Sequence, residues 1–288
     1  MSTWSILLCI AMVGVRGPAI PFDLDHPARV YKLPTELREV SALTDVDSHT
    51  VACLHDEAAR LYHFDLRTGR VVATFPFDRP GDLEGLTRVG EEYFALRSDG
   101  LLYRLGLKSA GLVVRDTVRL TLPQGNLEGL GFDPVARILL VSPKGVLKGS
   151  PTSRDVRLVH GYDPMKERLI AEPVLRLSVE DLAAQARKAG FELPMRTTDK
   201  GRHVPALKLR LSSIAVDPHT GLYYLLSAVD RVLLVLDRSG ELVHLHVLNE
   251  RLSPKPEGIT FLPDGDMLIS TEGVDRAPAI LRFARLTD

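Results

Sequence analysis

The sequence predicts an all-β fold, a five-bladed β-propeller, and three observations predict it. First, a short phrase recurs at the head of apolar, strand-like runs: Arg38-Glu39-Val40-Ser41-Ala42-Leu43, Asp82-Leu83-Glu84-Gly85-Leu86, Asn126-Leu127-Glu128-Gly129-Leu130, Ser212-Ser213-Ile214-Ala215-Val216 and Pro256-Glu257-Gly258-Ile259-Thr260. Second, its acidic position falls at 39, 84, 128, 213 and 257, in steps of 45, 44, 85 and 44, and a period near 44 residues is that of a blade array. Third, short β-like runs between the phrases are separated by turn chemistry such as Asp65-Leu66-Arg67-Thr68-Gly69 and Asp217-Pro218-His219-Thr220-Gly221.

Taken in chain order, residues 1–21 read as a signal peptide or apolar leader. The run Trp4 to Val15 has the length of a signal-peptide core and is too short to span a bilayer, although no Lys or Arg precedes it. Export to the periplasm or beyond is the expectation, with a buried N-terminal strand in a cytoplasmic protein as the alternative. The propeller is assigned to residues 28–288. Ala28 to Leu33 is strand-like and stands ready to complete the last blade, closing the ring without an open edge.

Blade one reads as Glu39 to Leu43, Thr50 to Leu54, Arg60 to Asp65 and Arg70 to Phe75. Blade two follows with Glu84 to Thr87, Tyr93 to Leu96, Leu101 to Leu105 and Leu112 to Leu120, and blade three with Glu128 to Phe132, Arg137 to Val141, Arg157 to Tyr162 and Arg168 to Leu177. The long third step then leaves 178–211 for an insertion. Within it Ser178 and Asp181 cap a helix with an apolar face at Val179, Leu182, Ala183 and Ala186, stopped at Gly190 and followed by a basic loop. A sixth blade hidden in this stretch is the alternative. Blade four starts at Ser213 and blade five at Glu257, the latter one strand short.

The bulk composition bounds the function. A formal net charge of −1 gives no clustered positive surface and disfavours nucleic acid. Cys9 and Cys53 are the only cysteines, which excludes a disulfide framework and a thiolate zinc site. No nucleophile elbow, zincin pair, P-loop or dinucleotide fingerprint occurs.

If each phrase begins an innermost strand, symmetry gathers Glu39, Glu84, Glu128 and Glu257 at one end of the central channel, where like charges repel and call for a cation. Hard oxygen donors with variable geometry suit calcium better than magnesium. The competing reading is that each Glu accepts backbone N–H bonds from the next blade and latches the ring. Asp56, Asp99, Lys144, Ser227 and Glu272, at the ends of the second strands, are candidates to line the same mouth. The pair His244 and His246 reads as a solvated strand face, and the stretch Arg196 to Arg210 as a solvated basic loop.

The Glu-Gly phrases, with Ser212-Ser213-Ile214-Ala215-Val216-Asp217-Pro218 and the closing Ser270-Thr271-Glu272-Gly273, resemble the SdiA-regulated, YjiK-like family over roughly Tyr31 to Leu286. The resemblance implies a five-bladed propeller distantly similar to NHL-repeat proteins, a calcium site and no established enzymatic activity. It carries the metal role first to Glu84, Glu128 and Glu257. Glu39 stands where relatives differ, and Ser213 replaces the acid in blade four with a hydroxyl. The expected function is a noncatalytic, monomeric calcium-binding propeller of the bacterial cell envelope that holds a protein, glycan or small ligand across one face. The alternative is a metal-assisted hydrolase acting on a lactone or phosphoester.

Overall fold

The computed structural model describes residues 20–287 apart from Ala110 and Asp199, so the apolar run Trp4 to Val15 lies outside the described residues. Five antiparallel blades surround a channel. Blade one comprises Val40–Asp45, Thr50–His55, Arg60–Asp65 and Arg70–Pro76, and blade two Leu83–Val89, Glu92–Arg97, Leu101–Lys108 and Gly111–Arg119. In blade three, Leu127–Asp133, Ile138–Pro143 and Val156–Asp163 are followed by an outer edge split into Arg168–Leu169 and Leu175–Ser178. Blade four is Ser213–Val216, Tyr223–Ser227, Val232–Leu236 and Leu242–Val247.

Blade five joins the two ends of the described chain. Pro256–Phe261, Met267–Thr271 and Ala279–Phe283 take Arg29–Lys32 as their fourth strand, in the register Arg29 to Arg282 through Lys32 to Ala279. The innermost strands contact one another in cyclic order, blade five returning to blade one, so the ring has five members and not six.

Because successive strand residues face opposite sides of a blade, each blade presents one apolar face to each neighbour. Five clusters of buried side chains result, one at each blade junction. In blade four, Tyr223 and Leu225 pack toward blade three while Tyr224 and Leu226 pack toward blade five. Ile20, Phe22 and Leu24 are buried between blades four and five, so the packed body begins before residue 28.

The insertion is part of this core. Ser178 caps the helix Val179–Ala189 by accepting from the Asp181 N–H at 3.0 Å, and Gly190 ends it in the left-handed conformation at φ 78°. Val179, Leu182, Ala183 and Ala186 are buried against blades three and four. The basic loop differs from expectation, since Met195–Thr197 and His203–Pro205 form a hairpin whose Arg196 pairs with buried Asp230 at 2.7 Å. Among the described residues no helix is long and apolar enough to cross a membrane.

Candidate functional site

The inner-strand register defines which residues stand level at the channel mouth. In four blades the pairing of the inner strand with its neighbour skips one residue, between Val40 and Ala42, Leu83 and Gly85, Leu127 and Gly129, and Pro256 and Gly258. The skipped residues Ser41, Glu84, Glu128 and Glu257 are therefore equivalent. In blade four, Ser213 pairs with Leu226 as Gly85 pairs with Leu96, which puts Ser212 at this level. The ring is thus three glutamates and two serines.

Two sequence expectations are corrected by this register. Glu39 lies two residues ahead of the ring position, on the half-exposed rim, because the bulge in blade one falls at Ser41. Ser213 occupies the position that is glycine in three blades, one residue past the ring, where its hydroxyl accepts from the Ile259 N–H at 3.3 Å. Glycine follows the glutamates for a steric reason. A Cβ at Gly85 would stand 2.6 Å from Cβ of Leu130 and 2.7 Å from the Glu128 carbonyl oxygen, because the next inner strand crosses there.

The ends of the second strands form an outer tier. Asp56, Lys144 and Glu272 each donate their N–H to the residue two before the ring position: Glu39, Asn126 and Lys255. Ser98 does the same to Asp82, so Asp99 lies one residue beyond this tier and pairs instead with Arg97 and Arg119. Ser227 lies one residue short of it, pairs with Val232 and is buried, with its hydroxyl on Asp230 at 2.7 Å.

Two ammonium groups serve the three carboxylates. Lys144 Nζ lies 2.8 Å from Glu128 Oε2, whose other oxygen accepts from the Asn126 amide at 2.9 Å. Lys255 Nζ lies 3.3 Å from Glu257 and 2.7 Å from Glu272. Lys255 was not among the residues singled out from sequence, and its signal was its place two residues before Glu257. Burial, reinforced by the charges of Glu128, Asp82 and Glu257, pushes Glu84 up to about 9. Burial likewise pushes Glu257 up to about 7 against the pull of Lys255 and Lys144. Glu128 is raised by burial too, with Lys144 holding it down. Burial opposes the charge on Lys144, yet its pairing with Glu128 outweighs this and raises it.

Ser41 is 2% exposed, and its hydroxyl has no hydrogen-bond partner, whereas Ser212 donates to the Pro256 carbonyl at 3.2 Å. Below the ring, Leu43, Leu86, Leu130, Ile214 and Ile259 come level with one another; they line one side of a cavity of about 200 Å³ that Thr44, Thr87 and Thr260 also line. The carboxylate mouth is a polar site with an apolar floor. His244 and His246 lie elsewhere, half-buried on the outer strand of blade four with Phe191 of the insertion against His244, so that face is partly covered instead of fully solvated.

No family model matches this chain. No curated protein matches it either. Among solved structures it is similar to Myxococcus xanthus glutaminyl cyclase, with a TM-score of 0.59 and 17% identity over 91% of this chain and 97% of that one. A chain of a mitotic checkpoint complex aligns at a TM-score of 0.44, with 14% identity over 86% of this chain and 64% of that one. The first similarity concerns the fold, and it agrees with the five-bladed ring.

Proposed function

We propose that this chain is a noncatalytic calcium-binding propeller of the cell envelope, holding a protein, glycan or small ligand on its carboxylate face, as the resemblance to the SdiA-regulated, YjiK-like proteins implies. The observation that carries the reading is that three carboxylates, buried Glu128 and Glu257 and half-buried Glu84, stand level at one end of the channel. The donor type suits the ion, and binding would draw the three carboxylates together, since their oxygens do not all lie within 4.8 Å of one another as the ring stands. Carboxylates and the unpartnered Ser41 hydroxyl are hard oxygen ligands. The backbone-latch reading has less support at these residues, since the named partners of Glu128 and Glu257 are side chains.

Lys144 sets a condition on binding. Its ammonium shares the field of Glu128, Glu257 and Glu84, so calcium has to displace it. Calorimetric titration of calcium into demetallated protein tests this, with melting curves in calcium and in chelator. Wild type is expected to bind, Glu128→Gln to bind more weakly, and Lys144→Met to bind roughly tenfold more tightly because one competing charge is gone. Calcium at about one hundred times its dissociation constant should add roughly 2.7 kcal/mol. If neither wild type nor Lys144→Met binds, and melting ignores the chelator, the ring is a salt-bridge latch and the metal assignment fails.

A second reading is favoured by one observation, the neutral carboxyl that burial makes of Glu84 at pH 7. A buried acid beside a carboxylate is equipment for proton transfer to a leaving group. The solved neighbour is named a glutaminyl cyclase, and cyclising an N-terminal glutamine expels ammonia, a leaving group that needs a proton. Ammonia release from a glutaminyl peptide, lost in Glu84→Gln, would establish it. Fold similarity alone does not assign the reaction.

A further inference from the structure

We propose that Glu39, His55 and Asp56 form a second metal site, separate from the carboxylate ring and suited to a transition-metal ion such as zinc. Each of the three offers a donor atom, and these atoms lie within 4.8 Å of one another. His55 stands between the carboxylates. Its Nδ1 lies 3.1 Å from Asp56 Oδ1 and its Nε2 3.7 Å from Glu39 Oε2.

The main chain builds this arrangement. Val40 pairs with His55 in the last rung of the first two strands of blade one, and the Asp56 N–H donates to the Glu39 carbonyl at 3.1 Å. Rung and closing bond hold the three donors at one strand end. The Asp56 carboxylate is further held by the Glu57 N–H at 2.7 Å, and the His55 side chain is only 16% exposed. A site prepaid in backbone order loses less entropy on binding than one gathered from free surface side chains.

The donor chemistry separates this site from the ring. Imidazole nitrogen favours zinc, nickel, copper or iron over calcium and magnesium, and two carboxylates compensate a divalent charge. Three protein donors leave a coordination position open. His55 and Asp56 line one side of a groove of about 790 Å³ on blade one and its connection to blade two, whose other walls include Arg60, Asp78, Pro80 and Asp82, so an exogenous ligand has room to reach that position.

Without metal, the same residues make a charge bridge. The hydrogen bond to Asp56 raises the His55 pKa, and Glu39 and Glu57 add to it, while Lys255 acts on Asp56 from blade five.

Equilibrium dialysis of the full chain against zinc chloride at neutral pH, with bound metal counted by mass spectrometry, provides the test. Wild type is expected to retain zinc, and His55→Gln and Glu39→Gln to hold it roughly tenfold or more weakly. Glu128→Gln is expected to match wild type, because it belongs to the ring. Cobalt substitution adds a readout of the ligand set, with visible absorption bands that change in Glu39→Gln. Glu39 is half-exposed, so that variant tests the site even if His55→Gln does not fold. The proposal is overturned if wild type retains no zinc, or if Glu39→Gln holds it as wild type does with the same cobalt spectrum. Calcium binding at the ring is read separately through Glu128→Gln, so either site can fail alone.

Discussion

At the scale of single residues, the ring is governed by protons as much as by metal. Glu84 and Glu257 have pKa values raised by burial to about 9 and about 7, from an ordinary value of 4.5. The folded state therefore holds protons that the unfolded chain releases above about 4.5, and stability falls as pH rises from there toward 9. In chelator, wild type is expected to lose denaturant midpoint steadily across this window. Glu84→Gln should flatten the upper half of the curve, since an amide carries no charge to repel its neighbours. Calcium adds the opposite slope because it competes with the same protons, so its affinity should rise with pH over the same interval. Chemical denaturation at several pH values, with and without calcium, reads both slopes. A wild-type midpoint that is flat in chelator would remove the repulsion from which the site is argued.

The residue scale also shows how far sequence reasoning reaches. Glu84, Glu128 and Glu257 are legible because each precedes a glycine at which an added Cβ would collide with a neighbouring strand. Glu39 and Ser213 are misaligned by two residues and one because the phrases of blades one and four have no Glu-Gly pair to set the register, and the bulge shows only in the ladder. Lys255 is hidden for another reason. It reaches the ring from the connection before its strand, where periodicity says nothing about direction.

At the scale of elements, the insertion behaves as core. Its helix is legible to the residue from the Ser178 cap, the apolar face and the Gly190 stop, whereas the hairpin after it is not, since its strands are three residues each and carry polar side chains. What no sequence pattern reveals is the surface that the helix covers. Leu182 is 2% exposed and belongs to the cluster that includes Leu175, Leu177 and Leu245. Leu182→Ala is expected to cost about 2–4 kcal/mol by lost burial plus a cavity. Replacing Val179–Ala189 with a flexible linker should lower the melting temperature by far more than loop closure alone predicts, because an apolar face of blades three and four is then exposed. Urea denaturation of both variants decides the matter. A linker variant that melts with wild type would show the helix to be an accessory.

At the scale of the whole molecule, stability depends on closing a circle whose ends are remote in sequence. Arg29–Lys32 supplies the outer strand of blade five, and Leu33 donates its N–H to Pro278 at 2.8 Å, so the last blade is completed by the beginning of the described chain. A second tie lies just upstream. Ile20, Phe22 and Leu24 fill the junction of blades four and five, with Phe22 edge-on to Tyr224 at 6.1 Å, and Leu286 donates its N–H to Pro21 at 2.9 Å. These ties fail differently, and a truncation series separates them. A chain starting at Ile20 keeps both and should melt with the full chain. One starting at His26 keeps the strand but empties the junction of two large apolar side chains and an isoleucine, and it should stay monomeric with a markedly lower melting temperature. One starting at Pro34 leaves Ala279–Phe283 as an unpaired edge and should aggregate, since open edges recruit other strands. Light scattering and thermal melts of the three chains order these outcomes. A His26 chain that melts with wild type would reduce the junction to surface contact, and a soluble, monomeric Pro34 chain would show that the ring stays shut without its closing strand.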